Sequence, residues 1–300
     1  MRATQRHRRA QSAMEYLVTY SWVILIVVVA FVALYAFGVF SPNNFAPRIQ
    51  PGACSVYRPY GPWTVSLISL TGACSGGLPQ YVTQFNGQSG YVTLPSNIPR
   101  TTILSNGMTF SAWIETTSST LGPIVGQNTG TSCNYYCAGG LIINHVSNKA
   151  SMEIYNNAVF VFASSSTTIN NGQWYHIAGE YAAGNLVIYV NGVNQGSTNA
   201  GGVYTTSPIN FLIGLQDSVA VPYYFNGLIS NVQIYNTSLS ANEIQALYIE
   251  GIGGVPLKLQ NLVAWWPLNG DANDYSGNGN NGVPTNVVYT SSWISSYTSH

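Results

Sequence analysis

An antiparallel β-sandwich behind one N-terminal transmembrane α-helix is the fold the sequence predicts: an all-β class with a single helical anchor. Three observations predict it. From Tyr81 onward, short runs of β-branched and aromatic residues recur between Gly, Asn, Ser and Pro turns. Before them, Tyr16 to Phe40 is a stretch of 25 residues without a charge. Only 6% of the chain is charged, and Asn, Ser, Thr, Gly and 21 tyrosines supply the polar surface instead.

The helix comes first. At about 1.5 Å per residue the uncharged stretch spans ~37 Å, enough for a hydrocarbon core of ~30 Å. Arg2, Arg6, Arg8 and Arg9 precede it. The positive-inside rule therefore holds residues 1–10 in the cytoplasm and places the bulk of the chain outside. Pro42 and Pro47 stop the helix. A secretory signal peptide would have a shorter apolar region, about 7–15 residues, with its small-residue cleavage site afterwards. Here the small residue, Ala10, stands before the apolar stretch. A plain N-terminal anchor is the simpler alternative.

The run Arg8-Arg9-Ala10-Gln11-Ser12-Ala13-Met14-Glu15-Tyr16-Leu17 resembles the class III signal of archaeal type IV pilin-like proteins. The resemblance implies a cut between Ala10 and Gln11, a pilin-like transmembrane helix over 11–40, and Glu15 as the fifth residue of the mature chain, where that family carries its acid. A carboxylate at the edge of the apolar phase is costly unless paired. The new amine of Gln11 on a neighbouring subunit is a natural partner, so Glu15 would set the stagger of self-assembling helices. Otherwise Glu15 sits at headgroup level in water.

Residues 41–80 read as a stalk, because six prolines between Pro42 and Pro79 exclude a helix. One small hairpin, 55–60 with 63–70, fits there. The four cysteines, Cys54, Cys74, Cys133 and Cys137, have no C-x-x-C spacing and no paired histidines, so zinc is not indicated. The simplest pairing is two local bridges, Cys54–Cys74 and Cys133–Cys137, which fits an oxidising exterior; free thiols are the alternative.

Strands are predicted at 81–85, 91–94, 108–114, 140–144, 151–155, 159–163, 173–181, 185–190, 211–215 and 227–235. Met108, Phe110, Ala112 and Ile114 alternate onto one face, and so do Leu186, Ile188 and Val190. Asn191-Gly192 then supplies a hairpin turn. Many strands at near-even spacing read as a sandwich or jelly roll. One helix interrupts them. Ser240-Ala241-Asn242-Glu243 is a capping box, Ile244, Leu247 and Tyr248 form its apolar stripe, and Gly251 ends it.

Four segments carry a second resemblance: FNGQSGYVTL (85–94), MTFSAWI (108–114), NNGQWYHIAGEYAAGNLVIYVNG (170–192) and FNGLISNVQIYNTSLSANEIQALY (225–248). Together they are similar to the laminin G-like, concanavalin A-like jelly roll. The resemblance implies two antiparallel sheets over 81–290, extracellular placement and frequent carbohydrate or protein binding. It does not by itself imply an enzyme. The segment NLVAWWPLNGDANDYSGNGNNG (261–282) normally opens that domain but lies near the end here, followed by a 291–300 tail. It either completes its own sheet, begins an unfinished repeat, or is donated to a neighbour. An unpaired strand bearing Leu262, Val263, Trp265 and Trp266 would expose a large apolar edge.

Chemistry is sparse in this sequence. Glycoside hydrolysis needs two carboxylates flanking one bond, yet Glu115, Glu153 and Glu180 fall singly on separate strands. The chain is therefore expected not to be an enzyme, a non-local carboxylate pair being the alternative. His176 and Glu180 share one strand face, and His145 is a loop residue. Asp271, Asp274 and Asn278 surround a turn whose oxygens could suit calcium, or they form an Asx-turn without an ion. Tyr135, Tyr136, Tyr204, Tyr223 and Tyr224 are loop aromatics, and the ligand-binding candidates among them are Tyr135, Tyr136, Tyr223 and Tyr224. Asn236-Thr237-Ser238 is the one N-x-S/T tripeptide. Beyond Phe40 five basic residues face eight acids, so no basic stripe invites nucleic acid. The expected partners are the lipid bilayer, a glycan or surface protein, and other copies of the helix. The expected function is adhesion or recognition at the cell surface, with a filament subunit as the structural alternative.

Overall fold

A computed structural model describes residues 3–36, 48–49, 54–57, 69–72, 77–96, 98, 107–127, 139–156, 159–201, 211–216 and 222–297. Over 3–19, 48–49, 54–57, 69–72, 127 and 155–156 the backbone alone is described. The chain divides into two units, Met1–Ala46 and Pro47–His300.

The first unit is one helix, α1 (Ala3–Ala36). Ala10, Gln11 and Glu15 lie inside it, where only the backbone is described. From Tyr20 to Tyr35 large apolar side chains are exposed on every side of the helix, among them Trp22, Ile26, Val29 and Phe31. Among the described residues no helix is long and apolar enough to cross a membrane. The described side chains, 20–36, cover about 25 Å.

The second unit is built of strands. Short ones lead in: β1 (Arg48–Ile49), β2 (Cys54–Tyr57), β3 (Ser69–Gly72) and β4 (Leu78–Pro79). Next come β5 (Val82–Asn86), β6 (Tyr91–Thr93), β7 (Met108–Glu115), β8 (Gly122–Gln127), β9 (Gly140–Ile143), β10 (Lys149–Asn156) and β11 (Val159–Thr168). They continue with β12 (Trp174–Ala182), β13 (Asn185–Val190), β14 (Val193–Asn199), β15 (Phe211–Ile213), β16 (Leu215–Gln216), β17 (Tyr223–Tyr224) and β18 (Asn226–Tyr235). Helix α2 (Ala241–Glu250) precedes β19 (Leu262–Trp266), β20 (Val283–Thr285) and β21 (Val288–Thr290).

Two antiparallel sheets stack into a sandwich. One has seven strands in the order β11-β10-β9-β8-β15-β6-β20, and the other runs β14-β13-β12-β7-β18-β5-β21 with β19 also on β18. The core between them takes the inward alternation of each sheet. Met108, Phe110, Ala112 and Ile114 of β7 meet Leu141, Ile143, Met152 and Ile154 of the facing sheet.

Local chemistry explains several elements. Ser240 accepts from the Glu243 amide while the Glu243 carboxylate accepts from Ser240 N at 2.8 Å, so the predicted capping box forms. Lys258 sits 2.8 Å from that carboxylate. Asn191 and Gly192 both take positive φ, as the β13–β14 hairpin requires. Strand 211–215 breaks at Gly214, whose φ of 80° turns the chain into β16. β2 and β3 pair as a hairpin with Cys54 opposite Gly72, set differently from the 55–60 and 63–70 expected. Cys74, Cys133 and Cys137 lie outside the described residues.

The displaced segment pairs within its own chain. β18 presents one edge to β7; its other edge is divided between β5, along Asn226–Ile229, and β19, along Val232–Tyr235. Of the three arrangements the sequence left open, this is the intramolecular one. The segment read as a tail is packed as far as residue 297: Trp293 and Tyr297 are buried, because they cover aromatic rings of the eight-stranded sheet.

Candidate binding face

The two outer faces of the sandwich differ. That of the eight-stranded sheet is sealed. Helix α2 and the segment after it bury Ala178, Tyr189, Tyr235, Leu262 and Trp265 in a second apolar cluster. Trp113 stacks on Tyr248 with ring centroids 5.9 Å apart, and Trp174 meets Trp293 edge to face at 5.8 Å. A polar chain runs through this layer. The Trp265 indole donates to Asn231 Oδ1 (2.7 Å), Asn231 Nδ2 donates to Gly254 O, and Tyr235 OH donates to Gln233 Oε1. These bonds satisfy buried polar groups, as an interior layer requires, while Trp174 Nε1, Trp293 Nε1 and His176 Nδ1 have no partner among the described residues.

His176 and Glu180 belong to this sealed face and do not act as a pair. His176 Nε2 lies 2.8 Å from Ser111 Oγ, beside the Trp113 ring. Burial lowers its pKa to about 3, so it is neutral. Glu180 instead accepts from Tyr189 OH at 3.0 Å, and burial raises its pKa against that bond. Glu115 lies at the other end of β7 and accepts from Ser296 Oγ at 2.6 Å. In register Glu180 stands opposite Thr109, six residues from Glu115, or about 20 Å of strand. Glu153 is on the other sheet. These three carboxylates therefore form no catalytic pair.

Among the described residues no helix covers the outer face of the seven-stranded sheet, the more open of the two, although Glu153 and Leu212 on it are buried. Register places one row across it: Phe162, Glu153, Gly140, Gly126, Leu212, Thr93 and Val283. Phe160 and Tyr223 are each 40% exposed. His145 stacks on Phe162 at 3.6 Å, and Phe160 lies near-parallel to Phe162 at 6.0 Å. Across the sheet Tyr224 lies 6.5 Å from Tyr91. Between these groups the Glu153 carboxyl accepts from Gln216 Nε2 at 3.0 Å. Burial pushes its pKa up to about 8, outweighing the Gln216 bond, so the group is largely protonated at neutral pH. Gln216 pairs with Tyr223 in the β16–β17 hairpin, so this bond helps to tie the hairpin to the sheet.

Tyr223 and Tyr224 thus fall on or beside the open face, while Tyr135 and Tyr136 lie outside the described residues. Gln216, Phe160 and Phe162 were missed as site candidates, and Glu153 was weighed only as a catalytic carboxylate. Phe160 and Phe162 could have been found, since they alternate in VFVF and so share a face. Nothing near Gln216 in sequence signals its reach to residue 153.

In the turn after β19, Asp274 Oδ1 accepts from the amides of Trp265 and Ser276, and Oδ2 from Ser276 Oγ and Asn280 N. Burial raises its pKa despite these bonds. Asp271 accepts from Asn273 and from Tyr275 OH at 2.7 Å. Asn278 Nδ2 donates to the carbonyls of Leu262 and Val263. Calcium takes six to eight oxygens, and both oxygens of Asp274 are already engaged by donors that hold the loop on β19. The buried Oδ1 atoms of Asn278 and Asn280 have no protein partner, which suits an enclosed water. Among the described residues no cluster of three His, Cys, Asp or Glu forms a metal site.

Two stacked antiparallel sheets in these strand orders form a jelly-roll sandwich. The family model for the concanavalin A-like lectin/glucanases superfamily matches residues 86–245, more than half of the chain, and the chain belongs to that family. Among solved structures it is similar to a putative carbohydrate binding protein from Bacteroides ovatus, at 16% identity and TM-score 0.54, covering 75% of this chain and 66% of that one. It is also similar to a native heptameric SAP-like pentraxin from Limulus polyphemus, at 17% identity and TM-score 0.48, covering 70% and 94%. A third is domain 4 of an extracellular arabinanase from Geobacillus stearothermophilus in complex with arabinotriose, at 20% identity and TM-score 0.44, covering 59% and 82%. No curated protein matches the chain.

Proposed function

We propose that this protein is a cell-surface recognition protein that binds carbohydrate through the open face of its seven-stranded sheet. One observation carries the reading: among the described residues that face leaves Phe160 and Tyr223 partly exposed near the buried Glu153–Gln216 pair, while α2 and the C-terminal segment cover the opposite face. Rings stack on the apolar faces of sugars, and uncharged polar groups read their hydroxyls. Membership of the superfamily supports the same reading. It is a binding protein rather than an enzyme, a view supported by the separation of Glu115, Glu153 and Glu180.

In this reading residues 16–40 anchor the chain in a membrane, with residues 1–10 in the cytoplasm and the jelly roll outside. The support is the apolar exposure all round residues 20–36, with 16–19 and 37–40 taken from the sequence. A helix apolar on every side belongs in lipid or in a bundle, which also favours a filament subunit cut between Ala10 and Gln11 and registered by Glu15. Bridges Cys54–Cys74 and Cys133–Cys137 would staple the exposed unit.

The test is a glycan array probed with the full chain in detergent, beside the Phe160→Ala and Tyr223→Ala variants. Binding that falls about tenfold in either, ~1.4 kcal/mol, is expected. Binding of no glycan, or binding by both variants equal to that of the wild type, would refute the open face as the site.

A further inference from the structure

We propose that Asn236 is the acceptor of an N-linked glycan. It heads the one N-x-S/T tripeptide of the chain, Asn236-Thr237-Ser238. The fold presents it in a usable form. Asn236 follows the last residue of β18 and is partly exposed. Its backbone N–H donates to Asn261 O at 3.0 Å, and its Oδ1 accepts from Asn261 Nδ2 at 3.1 Å. The bend is held by Thr109 Oγ1, which donates to Thr237 O at 2.9 Å. What the fold does not use is the Asn236 side-chain Nδ2.

Other asparagines behave differently. Asn144, Asn231, Asn278 and Asn280 each donate Nδ2 to a backbone carbonyl, so a sugar there would break a bond that holds the fold. At Asn236 the amide nitrogen can be substituted while Oδ1 still receives Asn261. The chemistry is an exchange with a lipid-linked oligosaccharide. The Nδ2–C1 bond forms, the C1–O bond to the lipid phosphate breaks, and the amide gives up one proton as the lipid phosphate leaves. Because Asn236 directly follows β18 of the eight-stranded sheet, a glycan there is borne on that side of the sandwich and not on the seven-stranded sheet.

The inference rests on the extracellular placement proposed above, since such donors are used outside the cytoplasm. The experiment is mass spectrometry of the full chain purified from its native membranes, with peptides covering 236–238, beside Asn236→Gln and Ser238→Ala. The expected result is a discrete sugar mass on that peptide, absent from both variants, with thermal melts showing that both still fold. Ser238→Ala keeps Asn236 and its bonds, so loss there reports recognition of the tripeptide rather than damage to the turn. An unmodified peptide 236–238 in protein whose jelly roll is accessible to impermeant labels outside the cell overturns this inference alone. An unmodified peptide in protein labelled only after lysis overturns the surface placement as well.

Discussion

Glu153 is a carboxyl that folding makes harder to ionise, with consequences measurable in stability. Its pKa rises from 4.5 to about 8 in the fold. Between those values the folded state holds the extra proton, so stability falls as pH rises, by at most about 1.4 kcal/mol per pH unit. His176 has the opposite sign. Its pKa falls from 6.5 to about 3, so the unfolded chain takes the extra proton in that window and acidification below 6.5 destabilises. Toward pH 8 His176 contributes little slope, because it is then neutral in both states. Thermal melts of Glu153→Gln there should be flatter than wild type and higher at pH 8, since the amide can still accept from Gln216. An unchanged slope would mean that Glu153 is ionised in the fold. Below pH 6.5, His176→Asn, which keeps a polar group for Ser111, should lose less stability on acidification than wild type. A parallel loss would point to other groups.

At the scale of elements, helix α2 acts as a lid whose start is chemically defined. Ser240 and Glu243 satisfy two backbone N–H groups that the first turn leaves open. Ile244 and Leu247 press onto the sealed face. Ser240→Ala should cost about 1 kcal/mol in chemical denaturation. A change below a few tenths would show that packing alone positions the helix. Strand β8 teaches a different lesson. Its sequence GPIVGQ carries two glycines and a proline and was not among the strands predicted. It lies between β9 and β15 all the same, with a bulge between Pro123 and Val125. Gly140 is required beside it. A Cβ there would lie 2.3 Å from Val125 O, because the two strands approach closely at that point.

Over the whole molecule the sandwich is closed by residues far apart in the chain. β19 fills the half of the β18 edge that β5 leaves open, and β20 and β21 pair with β6 and β5, one in each sheet. On the far side Gln195 Oε1, on β14, accepts from Ser166 Oγ and Thr167 Oγ1 of β11. Trp266 sits fully buried at the junction and donates from its indole nitrogen to Asn280 O at 2.9 Å. Trp266→Ala should cost about 3–5 kcal/mol, a large share of the about 5–15 kcal/mol that holds a typical domain together. Denaturant titration of the full chain measures it. A loss under about 1 kcal/mol would show that β19 is an accessory to the fold.

The sequence by itself determined whatever is local. The alternation of Met108, Phe110, Ala112 and Ile114 marked a strand and its inward face. Ser240 with Glu243 marked the start of a helix, and Asn191-Gly192 marked a hairpin. Each works because its partners lie within a few residues, where backbone geometry sets the spacing. Only the tertiary structure decided where Leu262–Trp266 pairs, that Trp293 and Tyr297 are interior, and that Gln216 meets Glu153. Those contacts join residues tens to hundreds of positions apart, chosen by which surfaces remain uncovered once both sheets have formed. Which outer face is covered is legible only at that stage, because α2 and the C-terminal segment settle on the eight-stranded sheet once it has formed.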